Sequence, residues 1–357
     1  MSGFLAPFPS LVDDAVINGD MNIWQRGTTF AAIANGAFSA DRFRYGSVGA
    51  QVVTASRSTS VPANAGRLLN YALRHEFTTA NASPGASDTA FVLQPVEGYN
   101  FLPFAQRPFW VSFYAYSNLA GTYPFQCSNS GNDRSFVSSY SLPANTWTKV
   151  TVPVSASPSA GTWDYTNGQG LKLIWPFLAG STYNTPALNS WQSGNYQSFA
   201  GATNLGATVG NYIIITGVRM SLVPWPYQFA QTRSIGEEIT LCQRYFEKGG
   251  FGLDIAPAAG VSSILYPSMT WAANNASCQI PFLQRKRAAP TITIYGGASG
   301  GSGNLAGVLV GGVFQTVASN AAERIETTSF GLASTYVGLA YGDSYGFNFG
   351  WTASAEL

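Results

Sequence analysis

The chain has 357 residues, of which 46% are hydrophobic and 14% aromatic, enough apolar material for more than one core, so two domains are predicted. Charged residues make up only 10%, against roughly 25% in an average soluble protein, and the net charge is +1. That balance excludes disorder over most of the chain. Basic residues are scattered except for Arg285, Lys286 and Arg287, which excludes an electrostatic footprint for nucleic acid.

Met1 is followed by Ser-Gly-Phe-Leu, with no basic segment and no long apolar run, so no secretory signal is expected. No stretch approaches the ~20 apolar residues of a membrane helix, so no membrane insertion is expected. Residues 1–15 read as an N-terminal arm. From 16 to 227 strand signals dominate. Val111–Tyr116 and Lys149–Val154 alternate, and Leu171–Trp175 and Tyr212–Leu222 are rich in β-branched and aromatic residues. Gly, Asn and Ser clusters such as Ser128–Asn132 and Thr166–Gly170 separate them. Short strands at this spacing predict an all-β chain opening with an antiparallel jelly-roll sandwich.

Residues 228–250 read as a linker with one helix, Ser234–Lys248. Ser234 and Glu237 fit a capping box, Ile235, Ile239, Cys242 and Phe246 form an apolar stripe, and Gly249-Gly250 would stop it. Residues 251–357 read as a smaller β-sandwich. Its predicted strands are Ser277–Leu283, Thr291–Tyr295, Val308–Val317 and Tyr336–Ala340, with a Gly/Ser loop at Gly296–Gly303 placed as a hairpin tip would be.

Much catalytic chemistry lacks its residues. His75 is the one histidine, which removes most triad and multi-histidine metal sites and leaves a structural role for it. Cys127, Cys242 and Cys278 are distant and odd in number, and they read as reduced buried thiols. Among seventeen acidic residues only Asp13-Asp14 and Glu237-Glu238 are adjacent pairs. Neither pair suits the two carboxylates of a glycosidase. No enzyme activity, cofactor or metal is expected. The aromatics are the positive signal. Trp163, Asp164, Tyr165 and Asn167, then Trp191, Gln192 and Tyr196, lie in polar loop-like stretches, where indole faces can stack on sugar C–H groups while amides bind hydroxyls. The competing reading is that such rings fill the sandwich, as Trp24 and Trp175 are expected to do.

The segment Asn18-Gly-Asp-Met-Asn-Ile-Trp-Gln-Arg-Gly-Thr28, with Ser39-Ala-Asp-Arg-Phe43, resembles the opening of many phage tail-fibre and virion structural proteins. The likeness continues through Asn145–Lys149, Ala160–Trp163, Trp191–Gly194 and Thr216–Met220, which look like a carbohydrate-binding-module jelly roll. It closes on Gly236-Glu-Glu-Ile-Thr-Leu-Cys-Gln-Arg-Tyr-Phe246, similar to the junction of those proteins. One departure is Val223–Tyr227, where family members commonly carry acidic residues. The resemblance implies a virion component made in the host cytoplasm: a fibre or spike subunit binding host-surface polysaccharide and neighbouring virion proteins, or else a purely structural decoration, collar or adaptor. Arg26 and Asp41-Arg42, recurrent in the motif, are expected to be structural. Few charges and many apolar strands in the last third predict self-association. The fibre likeness makes that a homotrimer, with Ile235, Ile239, Cys242 and Phe246 as its candidate seam.

Overall fold

The computed structural model describes residues 14–63, 65, 68–223, 233–262, 264–298, 303, 305–310, 313–340 and 344–357. Residues 1–13 of the expected arm, residues 224–227 at the end of the predicted sandwich and residues 228–232 of the linker lie outside them. The chain is all-β and divides into two compact units. The first holds residues up to Asn22 and from Thr29 to Ser234; the second holds Ile23–Thr28 and Ile235–Leu357. The six residues Ile23–Thr28, read from sequence as part of the sandwich, thus belong to the second unit.

The first unit contains β1 (Thr29–Phe30), β2 (Arg44–Val48), β3 (Val52–Ser58), β4 (Ala72–Thr79), β5 (Thr89–Glu97), α1 (Gly98–Phe101) and β6 (Phe109–Ser117). Then come β7 (Gly121–Asn129), β8 (Arg134–Leu142), β9 (Thr148–Val154), β10 (Gln169–Ala179), β11 (Trp191–Ser193) and β12 (Tyr212–Ser221). They form two antiparallel sheets, ordered β1-β3-β4-β12-β6-β9 and β11-β8-β7-β10-β5-β2. Alternation sends one side chain of each pair inward. Trp175, wholly buried, is the hub: Phe43, Phe113 and Phe125 lie 5.5–6.3 Å from it, ring centre to ring centre. Beside it His75 stacks between Tyr45 and Phe177. A bulge at Gly217 (φ +64°) interrupts the β12–β6 register and presents Arg219, whose guanidinium pairs with Asp20 at 2.9 Å and Asp14 at 3.2 Å. The recurrent Asp41 and Arg42 are buried too. Arg42 Nη2 donates to Pro95 O at 2.8 Å, and Asp41 O accepts from Asn18 Nδ2 at 3.0 Å.

The second unit contains α2 (Ile235–Gln243), β13 (Phe246–Gly249), β14 (Leu265–Ala272), β15 (Asn275–Pro281), β16 (Thr291–Gly296) and β17 (Gly307–Val310). Then follow β18 (Val313–Thr316), β19 (Ser319–Glu323), β20 (Ser329–Thr335) and β21 (Ser344–Ser354). β21 serves two layers. Its first half lies between β14 and β17, in the order β18-β17-β21-β14-β15-β20-β19; its second half lies between β13 and β16. Phe282, Phe330, Phe349 and Trp351 pack between them, and Trp351 Nε1 donates to Tyr266 Oη at 2.9 Å.

Several expectations are corrected here. The run 308–317 is a hairpin of two strands, and Tyr336–Ala340 form no strand, the strand there being Ser329–Thr335. β16 and β17 both pair with β21, so the glycine-rich loop joins strands that are not hairpin partners. The helix ends at Gln243, and Phe246–Gly249 become a strand hydrogen-bonded to β21. Here tertiary pairing outweighs helix propensity. Gly249 is therefore no helix stop: a Cβ there would sit 2.4 Å from Trp351 Nε1, so the glycine seats the indole. The two motif segments meet in this unit. Arg26 lies 3.6 Å over the Phe246 ring and pairs with Glu356 at 2.9 Å, while Gln25 Nε2 donates to Phe246 O at 2.8 Å.

Candidate functional site

The segment between β9 and β10 is tied down at both ends. Asp133, in the β7–β8 turn, accepts from Thr162 N at 3.1 Å, from Thr162 Oγ1 at 2.9 Å and from Asn129 Nδ2 at 2.5 Å. These bonds, that from Asn129 first, hold its carboxyl below the usual carboxylate range. Thr162 O in turn accepts from Ser130 Oγ at 2.6 Å. At the other end Gly98 N donates to Gly168 O and Tyr99 N to Thr166 O, both at 2.8 Å. Asp164 closes the turn between, accepting from Thr166 N at 2.6 Å and Thr166 Oγ1 at 2.8 Å.

This clamp sets a row of rings. The buried Phe101 stacks with Trp163 (5.5 Å, 18°) and with Tyr165 (6.2 Å, 12°). Trp191, on the edge strand β11, meets Trp163 edge-on at 5.6 Å and leans on Phe136 at 5.8 Å. Both indole nitrogens are anchored, Trp163 Nε1 to Ala160 O at 3.1 Å and Trp191 Nε1 to Ser155 O at 2.9 Å. Trp163, Tyr165 and Trp191 stay half-buried, so each keeps surface toward solvent. A rigid aromatic ledge results, with the exposed Asn167 following Tyr165 in the same segment.

Of the seven residues expected at a glycan site, the structure gathers Trp163, Tyr165 and Trp191. Asp164 turns into its own loop. Gln192 alternates to the opposite face of β11 from Trp191, and its Nε2 donates to Ser190 Oγ at 2.8 Å. Tyr196 is on that side too, its N–H donating to Ser135 Oγ at 3.1 Å, its ring over Gly194. Sequence reasoning missed Phe101, which sets the spacing of the ledge, and the exposed Tyr99 and Leu102 beside it. The Gly98-Tyr99-Asn100 stretch carries the aromatic-plus-amide composition used elsewhere, a signal that could have marked it.

Gly98 helps to position the ledge through its bond to Gly168 O. A Cβ there would lie 2.6 Å from Asp164 O and from Thr166 N and O, all backbone atoms with no room to yield. Gly98→Ala is therefore expected to cost about 1–3 kcal/mol and to displace the 164–166 turn. A thermal melt indistinguishable from the parent protein would contradict this.

The seam residues divide differently from expectation. Ile235 is exposed and Ile239 half-buried, but Cys242 and Phe246 are buried within their own unit, and Phe246 lies on β13 rather than α2. Within the stripe Cys242 and Phe246 serve internal packing, Phe246 lying under Arg26, while Ile235 and Ile239 keep exposed surface. All three cysteines are buried and none forms a disulfide among the described residues. Among the described residues no group of three His, Cys, Asp or Glu side chains is placed to hold a metal, and no helix is long and apolar enough to cross a membrane. Of the basic trio, Lys286 turns inward, while Arg287 donates to Ala355 O and Glu356 O.

No family model matches the chain, and no curated protein matches it. Among solved structures it is similar to a family 11 carbohydrate-binding module from Clostridium thermocellum, in complex with a β-1,3-1,4-mixed-linked tetrasaccharide. The identity is 9%, with 55% of this chain and 96% of that one covered and a TM-score of 0.30. It is also similar to a putative sugar binding protein from Bacteroides thetaiotaomicron, at 14% identity, 58% and 99% coverage and a TM-score of 0.32.

Proposed function

We propose that this chain is a virion fibre or spike subunit whose first unit binds a host-surface glycan, copies of the chain associating as a homotrimer. The observation that carries the glycan reading is the anchored, half-exposed row Trp163–Trp191 beside Tyr165. Two indoles held by carbonyls and packed on Phe101 and Phe136 lose little conformational freedom on binding, which favours a neutral ligand with flat C–H faces. A chain with 10% charged residues suits such a ligand better than a polyanion. The virion reading rests on the paired Trp24-Gln25-Arg26-Gly27 and Leu241–Phe246 motifs, and the contact of Arg26 with Phe246 supports their reading as one built junction.

The test is retention on an array of bacterial surface polysaccharides, followed by titration of the best one. Trp163→Ala and Trp191→Ala are each expected to weaken binding about tenfold, near 1.4 kcal/mol, with the fold retained. Equal retention by both variants would remove the ledge from the site. A blank array would leave the purely structural virion role, a reading that the exposed apolar side chains of the second unit favour. Immunogold labelling of particles tests the virion assignment itself.

A further inference from the structure

Eleven of the seventeen large hydrophobic side chains that are exposed among the described residues lie in the second unit, although it is the shorter of the two. Three of them fall on alternate positions of one strand. Along β14 the outward positions are Leu265, Pro267, Met269 and Trp271, while Ser268 and Thr270 between them are buried. Leu265 is 47% exposed, Met269 65% and Trp271 59%, an unbroken apolar ridge on the open face of a sheet. Next to the ridge the same face drops. Ser277 on β15 pairs with Met269, Ala333 on β20 pairs with Ser277, and Gly331 pairs with Gln279. Ser277, Cys278, Gln279 and Gly331 floor an open groove of about 570 Å³, banked by Pro267 and Met269 on one side and by Glu323 and Arg324 on the other.

We infer that this face is where copies of the chain meet, the β14 ridge of one copy entering the β15–β20 groove of another. Ridge and groove lie side by side on one surface, so each copy brings both halves of the contact, as a closed homo-oligomer requires. The outer bank carries one acid and one base, paired at 3.2 Å, and so offers no net charge to select an oppositely charged partner. A lone sheet face with such a ridge is an aggregation liability unless covered, and a second copy covers it without leaving a further exposed ridge. The inference rests on the self-association part of the proposed function and moves the seam from α2 to β14.

Sedimentation velocity of the full chain over about 1–100 µM tests it. The parent protein should associate. Met269→Asp places a charge on the ridge, and Gly331→Val fills the groove from the floor, where the atom nearest a Cβ is in the flexible Glu323 side chain at 3.2 Å, followed by Glu323 O at 3.4 Å and Gln279 Oε1 at 3.6 Å. Each is expected to weaken association at least about tenfold while the circular-dichroism melt of the monomer stays unchanged. A parent protein that is monomeric throughout would overturn both this inference and the homotrimer, and would leave the face to another kind of partner. An oligomer that persists in both variants would overturn the β14 seam alone.

Discussion

Replacing Lys286 with methionine is expected to cost the second unit about 3–5 kcal/mol, because it strands a carboxylate in the interior. The Lys286 side chain is wholly buried and its Nζ lies 2.5 Å from Glu247 Oε2, itself 2% exposed. All three ammonium protons are used: the others go to Gln243 O and Gln284 O, both at 2.6 Å. Glu247 also accepts from Leu283 N at 2.8 Å and Gln284 N at 3.3 Å. The pair therefore ties the end of α2 and strand β13 to the segment before β16. Burial presses the Lys286 ammonium below its ordinary range while Glu247 opposes the shift, as for an ion pair held in a low-dielectric site. Removing only the cation leaves two backbone donors to satisfy a buried charge. The double variant Glu247→Leu with Lys286→Met removes both charges and should recover most of the loss, since a buried pair often contributes little net stability over apolar replacements. Urea denaturation of the single and double variants measures this. A loss under about 1 kcal/mol for Lys286→Met would mean that the carboxylate finds water instead.

The second large effect is an acid one, and it belongs to the first unit. His75 is completely buried on the inner face of β4, and neither ring nitrogen has a hydrogen-bond partner. Burial alone takes its pKa from the ordinary 6.5 down to about 3. The folded protein thus keeps the imidazole neutral while the unfolded chain takes up a proton below pH 6.5. Stability from this site is complete above pH 6.5 and is lost steadily as pH falls toward 3, by on the order of 5 kcal/mol at the lower end. His75→Phe keeps a ring between Tyr45 and Phe177 and has nothing to protonate. Its stability at pH 7 should equal or exceed that of the parent, since an unpartnered polar group leaves the core. The difference between the two proteins should then widen as pH drops from 6.5 to 3. Parallel pH profiles would show that His75 finds a proton acceptor or solvent in the folded state.

How much of this was legible beforehand depends on the range of the interaction concerned. The alternation of Val111–Tyr116 and Lys149–Val154 and the turn clusters between strands are local signals, and they led directly to an all-β architecture. Trp24 and Trp175 were legible as core, and both are wholly buried. The ring types at 163, 165 and 191 were legible as candidates, because an aromatic in a polar loop is unusual wherever the loop goes. Their assembly was not legible. Trp191 reaches Trp163 only because β11 pairs with β8 and carries it over Phe136, and Phe101 sits beneath only because α1 packs against the 164–168 turn. The same β11 pairing sends Gln192 to the other face. Phe246 and Lys286 make the same point in the second unit. One looked like the end of a helical stripe and the other stood only as one member of a short basic group, yet β21 and Glu247 draw both inside. Composition and period by themselves determined the secondary-structure class, the shortage of catalytic groups and the residue types available for a ligand, because each is set within a few residues along the chain. Strand register, the face each side chain takes and the neighbours it meets were decided only by tertiary structure, because a ladder partner tens or hundreds of residues away sets them.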